Sequence, residues 1–262
     1  MTERTLQSLT IRDYAKVSKK IESFISSYIS AGRASGVVIG LSGGLDSSVT
    51  LKLAANALGS KRVFGLMLPG ESTPQQDAND AVALARDLNV KYSLVNIASL
   101  VSKFIQLHPG GNKKLTGNMT ARLRMIALYR QAALSNYFVC GTSDKSELSI
   151  GYFTKYGDGA SDLMPLAGLY KTQVRELGRH LKLPIAILNK KSSPRLWKGH
   201  LAEAELGLSY EVIDPILHLL EKKLTVLQIS NMLNQSKDTV LKIRSRLQSS
   251  VHKRMMPAIP KV

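Results

Sequence analysis

Cysteine is almost absent from this sequence: Cys140 is the only one in 262 residues. A single thiol excludes an internal disulfide and any cysteine-based metal cluster, a usage that fits a cytosolic compartment. Its neighbours, Tyr137-Phe138-Val139-Cys140-Gly141, read as a buried strand rather than the setting of a nucleophile. Acidic residues are also scarce, 19 against 36 Lys and Arg, which leaves a net charge of +17. That excess is compatible with nucleic acid, an acidic membrane surface or a polyphosphate small molecule, and by itself selects none of them. No run of about eighteen apolar residues predicts a membrane span. Met1-Thr2-Glu3-Arg4 lacks the basic, apolar, small-residue order of a signal peptide. Repeats, low-complexity tracts and a Walker A Gly-Lys-Ser/Thr are missing too. A cytoplasmic protein is expected, with one large domain or a domain and a small appendage, and its 44% hydrophobic content is ample for a core.

What is present begins with Leu41-Ser42-Gly43-Gly44-Leu45-Asp46-Ser47-Ser48. Gly36-Val37-Val38-Ile39-Gly40 ahead of it reads as a buried parallel strand. Val49, Leu51, Leu53, Ala54, Ala57 and Leu58 behind it recur at helical spacing, with Gly59 as the C-cap. Strand, Ser/Gly loop and helix start together make an anion site: glycines admit close approach, successive N–H groups converge, and the helix dipole favours negative charge. A carboxylate at Asp46 inside such a cradle repels phosphate unless a cation lies between, which points to Mg²⁺ bridging Asp46 and a pyrophosphate. The plain alternative is a tight turn with Asp46 as a first-turn cap.

Along the chain, Thr10 to Gly32 predicts an opening helix, with Thr10 and Asp13 as a capping arrangement. Val63–Leu68 is a second strand, Ala78 to Asn89 a helix and Val90 to Ile97 a third strand. This βαβαβ succession predicts an α/β fold, a doubly wound, Rossmann-like parallel sheet flanked by helices, with ligands beyond the carboxyl ends of its strands. Pro109 to Thr116 reads as a mobile loop, Asn118 to about Ser135 as a helix, and Tyr137 to Gly141 as a strand. Thr142 to Leu169 carries few regular signals, Thr172 to Leu181 is helical with Thr172 as N-cap, and Asn189 to His200 is irregular. Tyr210 to about His252 reads as a helical extension broken near Gln235-Ser236, followed by an extended end. From Glu221 to Val262 nine basic residues face two acids.

Several further residues carry chemistry. Arg122 and Arg124, two apart on a helix, cannot share a face, so one at most addresses a given ligand. In Gly141-Thr142-Ser143-Asp144-Lys145-Ser146-Glu147, Glu147 is either a second carboxylate on a metal shared with Asp46 or a helix-capping glutamate. Lys155 and Asp162 lie in a glycine-broken segment that is either an ordered binding loop or plain surface. Lys171, just before a helix, either meets phosphate or is solvated. Trp197 covers a ligand or anchors its loop.

Taken in order, these blocks resemble the ammonia-dependent NAD synthetase family, a branch of the N-type ATP pyrophosphatases. The resemblance runs through S-G-G-L-D-S-S, G-N-x-x-A-R-x-R-M, G-T-S-D-K-S-E, G-Y-F-T-K-Y-G-D-G-x-x-D-L-x-P-L and L-Y-K-T, then A-E-L-G-L-S-Y-E-V-I-D and H-K-R-x-x-P-x-I-P. It implies a single synthetase domain over 1–262 of the adenine nucleotide alpha-hydrolase type. About 1–32 would form an N-terminal helix, 33–188 the nucleotide-binding core, and 189–262 a loop plus helical tail. It also implies that Leu41 to Ser48, Thr142, Lys171 and Ser193 contact ATP, that Asp46 and Glu147 hold Mg²⁺, and that Arg122, Lys155, Asp162, His252 and Lys253 contact deamido-NAD. Asp46, Glu147 and Lys171 would be the catalytic set. The implied reaction is attack of the nicotinate carboxylate on the ATP α-phosphorus, then of ammonia on the acyl-adenylate, in a homodimer. Without an amidotransferase cysteine, ammonia would arrive free or from a separate protein, and 109–116 and 189–203 would be lids. The chain departs from the family where Ala202 stands at a usual acid, leaving Glu203 and Glu205 nearby. Two rivals remain: a tRNA-modifying enzyme of the same loop family, and a DNA-binding helix-turn-helix within Leu224 to Leu247. Nucleic acid and membrane are not expected as partners.

Overall fold

The structure is a computed structural model that describes residues 9–260, so the reading of Met1 to Arg4 and the basic Lys261 lie outside the described residues. Four parallel strands form one sheet: β1 (Gly36–Gly40), β2 (Val63–Met67), β3 (Lys91–Leu94) and β4 (Tyr137–Cys140), in the order β3-β2-β1-β4. Val38 pairs with Phe64 on one side and Val139 on the other. The chain thus builds outward from β1 to β3 and then returns to the other side of β1. That reversal separates the loops after β1 and β4, and a ligand crevice opens there in doubly wound sheets.

Alternation along the strands explains the two covered faces. Val37, Ile39, Val63, Met67 and Cys140 join a core with α1 (Tyr14–Ala31), α2 (Leu45–Leu58), α3 (Gln75–Asp87) and α7 (Lys171–His180). Val38, Leu66 and Val139 point the other way, onto Met125, Leu128 and Ala132 of α5 (Lys113–Ser135). Cys140 is buried in the first core, as its strand setting predicts, and burial pushes its thiol pKa up.

Several boundaries differ from the sequence reading. Asp13, not Thr10, caps α1, accepting from the Lys16 N–H at 2.8 Å. The segment before 109 forms α4 (Ala98–Leu107), and half of the expected 109–116 loop is the start of α5, capped by Asn112. The Thr142–Leu169 stretch contains α6 (Lys145–Ile150), whose Asp144-x-x-Glu147 capping box was visible in the sequence. Tyr170, not Thr172, occupies the N-cap of α7. Thr172 instead donates through N–H and hydroxyl to Asp214 Oδ2, at 2.9 and 2.8 Å.

After the short α8 (Ile185–Leu188) and α9 (Ala202–Leu206), Asp214 lies on α10 (Tyr210–Glu221), which with α11 (Val226–Leu233) and α12 (Lys237–Ser249) forms the helical extension around Ile213, Ile216, Ile229, Val240 and Ile243. The helical extension breaks at Asn234, in the left-handed conformation beside the expected Gln235-Ser236, and also after Glu221 and at Ser250. Asp214 Oδ1 also accepts from Ser146 Oγ at 2.6 Å, and that hydroxyl accepts from the Lys171 N–H at 2.9 Å. One buried carboxylate thus fixes the extension to both α6 and α7.

Candidate active site

A cavity of about 510 Å³ opens where the loops after β1 and β4 part, within the range that holds small-molecule ligands. Leu41, Ser42, Asp46 and Ser47 line it from the β1 loop, and Thr142, Ser143 and Glu147 from the β4 loop. Gly43 takes φ +70°, and a Cβ there would lie 2.0 Å from the Asp77 carbonyl oxygen, so only glycine fits. The hydroxyls divide the expected donor role: Ser42 and Ser47 lie 3.1 Å apart at the cavity wall, whereas buried Ser48 donates to the Gly44 carbonyl at 2.8 Å. Ser48 thereby stiffens the loop from behind.

Lys171 lies directly beneath this loop, fully buried at 0% exposure. Its Nζ sits 2.8 Å from each of Asp46 Oδ2, Asp144 Oδ2 and Glu147 Oε1. Three carboxylates against one ammonium leave an excess of two negative charges. Desolvation is the leading cause that raises the Asp144 pKa, to about 6, and that of Glu147 well above the carboxylate range, with repulsion from the neighbouring acids adding to it. The same three acids hold the Lys171 ammonium charged, well above its usual pKa, against the opposing pull of burial. Of the two roles weighed for Glu147 the capping one is present, since it completes the α6 capping box, and its other carboxylate oxygen faces Lys171 on the side of Asp46.

The arrangement fits a hard divalent cation. Asp46 Oδ1 is buried without a hydrogen-bond partner, all the donors are carboxylate oxygens, and two positive charges would balance the cluster. Among the described residues no group of three His, Cys, Asp or Glu is disposed to hold a metal by itself. Mg²⁺ commonly uses one or two carboxylates and completes its shell with water and substrate phosphates.

The other residues singled out from sequence are divided by this chain. Ser193 and Lys253 line the cavity, whereas Arg122, Lys155, Asp162 and His252 do not. Arg124, not Arg122, faces the cavity, and its Nε donates to the Leu68 carbonyl at 3.1 Å. Arg122 is exposed and donates to the Lys155 carbonyl. Asp162 accepts from the Val139 N–H at 2.7 Å, and Lys155 donates to the His252 carbonyl at 2.8 Å. Lys253 donates to the carbonyls of Gly151 and Phe153, which returns the basic tail to the cavity. The C-terminal end of α12 lines the cavity as well, through Arg246 and Ser249, so the helix offered as a DNA reader contributes to this site.

Sequence reasoning missed three groups here. Asp144 is the third carboxylate on Lys171, and its capping-box position was its available signal. Asp158 lines the cavity, accepts from the Thr154 N–H and has its carboxyl pKa raised by desolvation. His200 stacks on Trp197 with ring centroids 3.4 Å apart, and its Nε2 meets Tyr152 OH and Glu205 Oε2 at 3.0 and 2.8 Å. Trp197 therefore anchors its loop through this stack, and it also forms part of the cavity wall.

The sequence matches the NAD synthase family over residues 17–257. It is 44% identical over 259 residues to an NH(3)-dependent NAD(+) synthetase from Hyperthermus butylicus, across 98% of this chain and 94% of that protein. Among solved structures, an NMN synthetase from Francisella tularensis is similar at TM-score 0.85 and 34% identity, over 96% of this chain and 100% of that one. An NH3-dependent NAD synthetase from Campylobacter jejuni, solved with nitrate, is similar at TM-score 0.83 and 32% identity, over 96% and 100% of the two chains.

Proposed function

The chain belongs to the NAD synthase family, and from that premise we propose how its residues carry out the family's reaction. It is an ATP-using ligase that amidates deamido-NAD with ammonia to give NAD. The tRNA-modifying alternative is not favoured, because relatives matched over nearly the whole chain are NAD synthetases. The observation that carries the residue roles is the Lys171–Asp46–Asp144–Glu147 cluster beneath a glycine loop at the sheet's reversal.

In this reading Leu41 to Ser48 cradle the ATP phosphates through backbone N–H groups at the start of α2, with Thr142 and Ser193 as further ATP contacts. Asp46 and Glu147 would hold Mg²⁺, which would supply charge neutralisation for pyrophosphate. Lys171, fully buried beneath the loop with its ammonium shared among three acids, keeps these carboxylates oriented rather than touching ATP itself. The nicotinate carboxylate attacks the α-phosphorus, and ammonia attacks the resulting acyl-adenylate to release AMP. No side-chain nucleophile is needed, so catalysis rests on positioning and charge. Lys253 and Arg124 give the cavity positive charge for the second polyanion, deamido-NAD. Residues 1–262 are read as one synthetase domain, working in the cytoplasm on free ammonia or ammonia from a separate protein. Among the described residues no helix is long and apolar enough to cross a membrane.

Purified protein supplied with ATP, Mg²⁺, ammonium and deamido-NAD is expected to form NAD and AMP in equal amounts. Because the Francisella tularensis neighbour is an NMN synthetase, nicotinate mononucleotide is the informative second acceptor. Turnover of the mononucleotide alone would overturn the dinucleotide assignment, and no AMP with either would overturn the reaction.

We read the active species as a homodimer. None of the residues of α4 is buried, and Leu100, Phe104 and Leu107 are exposed beside Leu94 and Val95. On neighbouring α5, Arg122 and Ile126 lie one turn apart on the exposed face. A second copy would cover this apolar surface and give Arg122 a place at its partner's site. Sedimentation velocity is expected to return twice the 28.7 kDa chain mass, and a monomer at assay concentration would refute the dimer.

A further inference from the structure

A second, partly buried ionic network adjoins the phosphate loop, built of residues to which nothing above gives a role. Lys190 Nζ lies 2.8 Å from the Gly43 carbonyl, 2.8 Å from Asp77 Oδ1 and 2.6 Å from Asp80 Oδ2. All three ammonium donors are thereby used. Asp77 Oδ2 takes Arg195 Nε at 2.8 Å, and the Arg195 carbonyl takes Ser72 Oγ at 2.7 Å. Two cations face two carboxylates, so unlike the Lys171 cluster this network carries no net charge with which to hold a ligand. Its members sit on three things at once: the phosphate loop, the start of α3, and the loop of residues 189–203.

A trans peptide places its C=O and N–H on opposite sides. With the Gly43 carbonyl turned towards Lys190, the Gly44 N–H is turned away from it, and it donates to Ser42 Oγ at 3.2 Å on the cavity side. Gly43 has no Cβ to resist rotation, so sterics alone do not hold that peptide plane. Lys190 holds its carbonyl end and Ser42 Oγ its N–H end, and Asp77 and Asp80 hold Lys190. Two residues beyond Arg195, Trp197 stacks on His200 and completes the cavity wall. We infer that Lys190 is a positioning residue, which fixes the Gly43–Gly44 peptide with its N–H facing the bound triphosphate and ties that orientation to the seating of loop 189–203. This rests on the reading of the β1 loop as the ATP phosphate site.

The test uses the full chain with Lys190→Met, Lys190→Arg and Asp80→Asn; the last loosens Lys190 while leaving it a buried partner. ATP affinity is measured calorimetrically, KM for ATP and for deamido-NAD by NAD formation, and loop seating by the emission of Trp197, the only tryptophan. Lys190→Met is expected to weaken ATP roughly 10- to 100-fold, the range spanned by a hydrogen bond to a charged group. KM for deamido-NAD should stay within about threefold, and Trp197 emission should shift to the red. Lys190→Arg should restore part of the ATP affinity, and Asp80→Asn should reproduce the selective loss in weaker form, which serves if the methionine variant fails to fold. ATP affinity unchanged in both Lys190→Met and Asp80→Asn, or an equal rise in both KM values, would overturn the inference. Wild-type protein that binds no ATP would instead overturn the nucleotide site itself.

Discussion

Replacement of Lys171 by methionine is expected to lower the thermal midpoint by roughly 6–15 °C, because removing one partner of a buried ion pair costs about 3–5 kcal/mol. NAD formation should fall by about 10²–10³, the scale of a lost charge-stabilising donor. Lys171 and Asp144 are both fully buried, so no water replaces the missing ammonium. Methionine fills the same length but leaves three acids facing one another. The pH dependence gives the prediction its sign. Burial already holds the Asp144 carboxyl up to about 6 and Glu147 higher than usual even with Lys171 present. Without the ammonium both rise further, so the folded variant binds more protons than its unfolded chain. Its stability then increases as pH falls through that window. Wild-type Lys171, whose folded pKa is raised, keeps its full stabilising contribution below about 10.4 and so is unaffected over the same range. Calorimetry at pH 8 and pH 5 should therefore find a wider gap between wild type and variant at the higher pH. An equal gap at both values would show that the acids do not depend on Lys171 for their charge.

How far the sequence could be read follows from the distance over which each feature is decided. The β1 strand, glycine loop and α2 are set by neighbours within twenty residues, and the structure has them as Gly36–Gly40 and Leu45–Leu58, with Gly59 as the cap. The parallel α/β sheet and the membership in the NAD synthase family were legible for the same reason, since each motif is local and their order is fixed. Lys171 was visible as a residue beside a helix, but its burial is not a property of its own segment: Asp46 lies 125 positions away in the sequence. Thr172 had the chemistry of a cap, and only the arrival of Asp214 from α10 shows why it is used otherwise. Lys190 gave no signal at all, because its partners Asp77 and Asp80 are 113 and 110 positions distant and one of its acceptors is a backbone carbonyl. The start of α5 was misplaced because Gly110-Gly111 reads as loop, while Asn112, which caps the helix, is equally at home in a turn.

Asp46→Asn and Glu147→Gln should separate stability from activity in opposite directions. Each substitution removes one of three negative charges crowded around a single ammonium and keeps the side chain's shape. Above the raised titration of Asp144 and Glu147, the cluster in the free protein then carries an excess of one charge instead of two, so at high pH the thermal midpoint should hold or rise by a few degrees. Activity should nonetheless fall by about 10²–10³ for each variant, since a neutral amide is a poor ligand for Mg²⁺ and leaves pyrophosphate charge uncompensated. A Mg²⁺ titration followed by thermal midpoint supplies the second readout. Wild type should be stabilised by added Mg²⁺ with ATP, and each variant much less so, because the gain reflects how strongly the folded protein binds the cation. A hydrogen-bonding role for these acids predicts the reverse: a lower midpoint, and an unaltered response to Mg²⁺. Wild-type rates in both variants would remove the chemical basis for placing a metal-bound triphosphate over Lys171. A site that is less stable empty than its neutral variants, and gains most when a cation and ATP enter, has acids disposed for a ligand rather than for the fold.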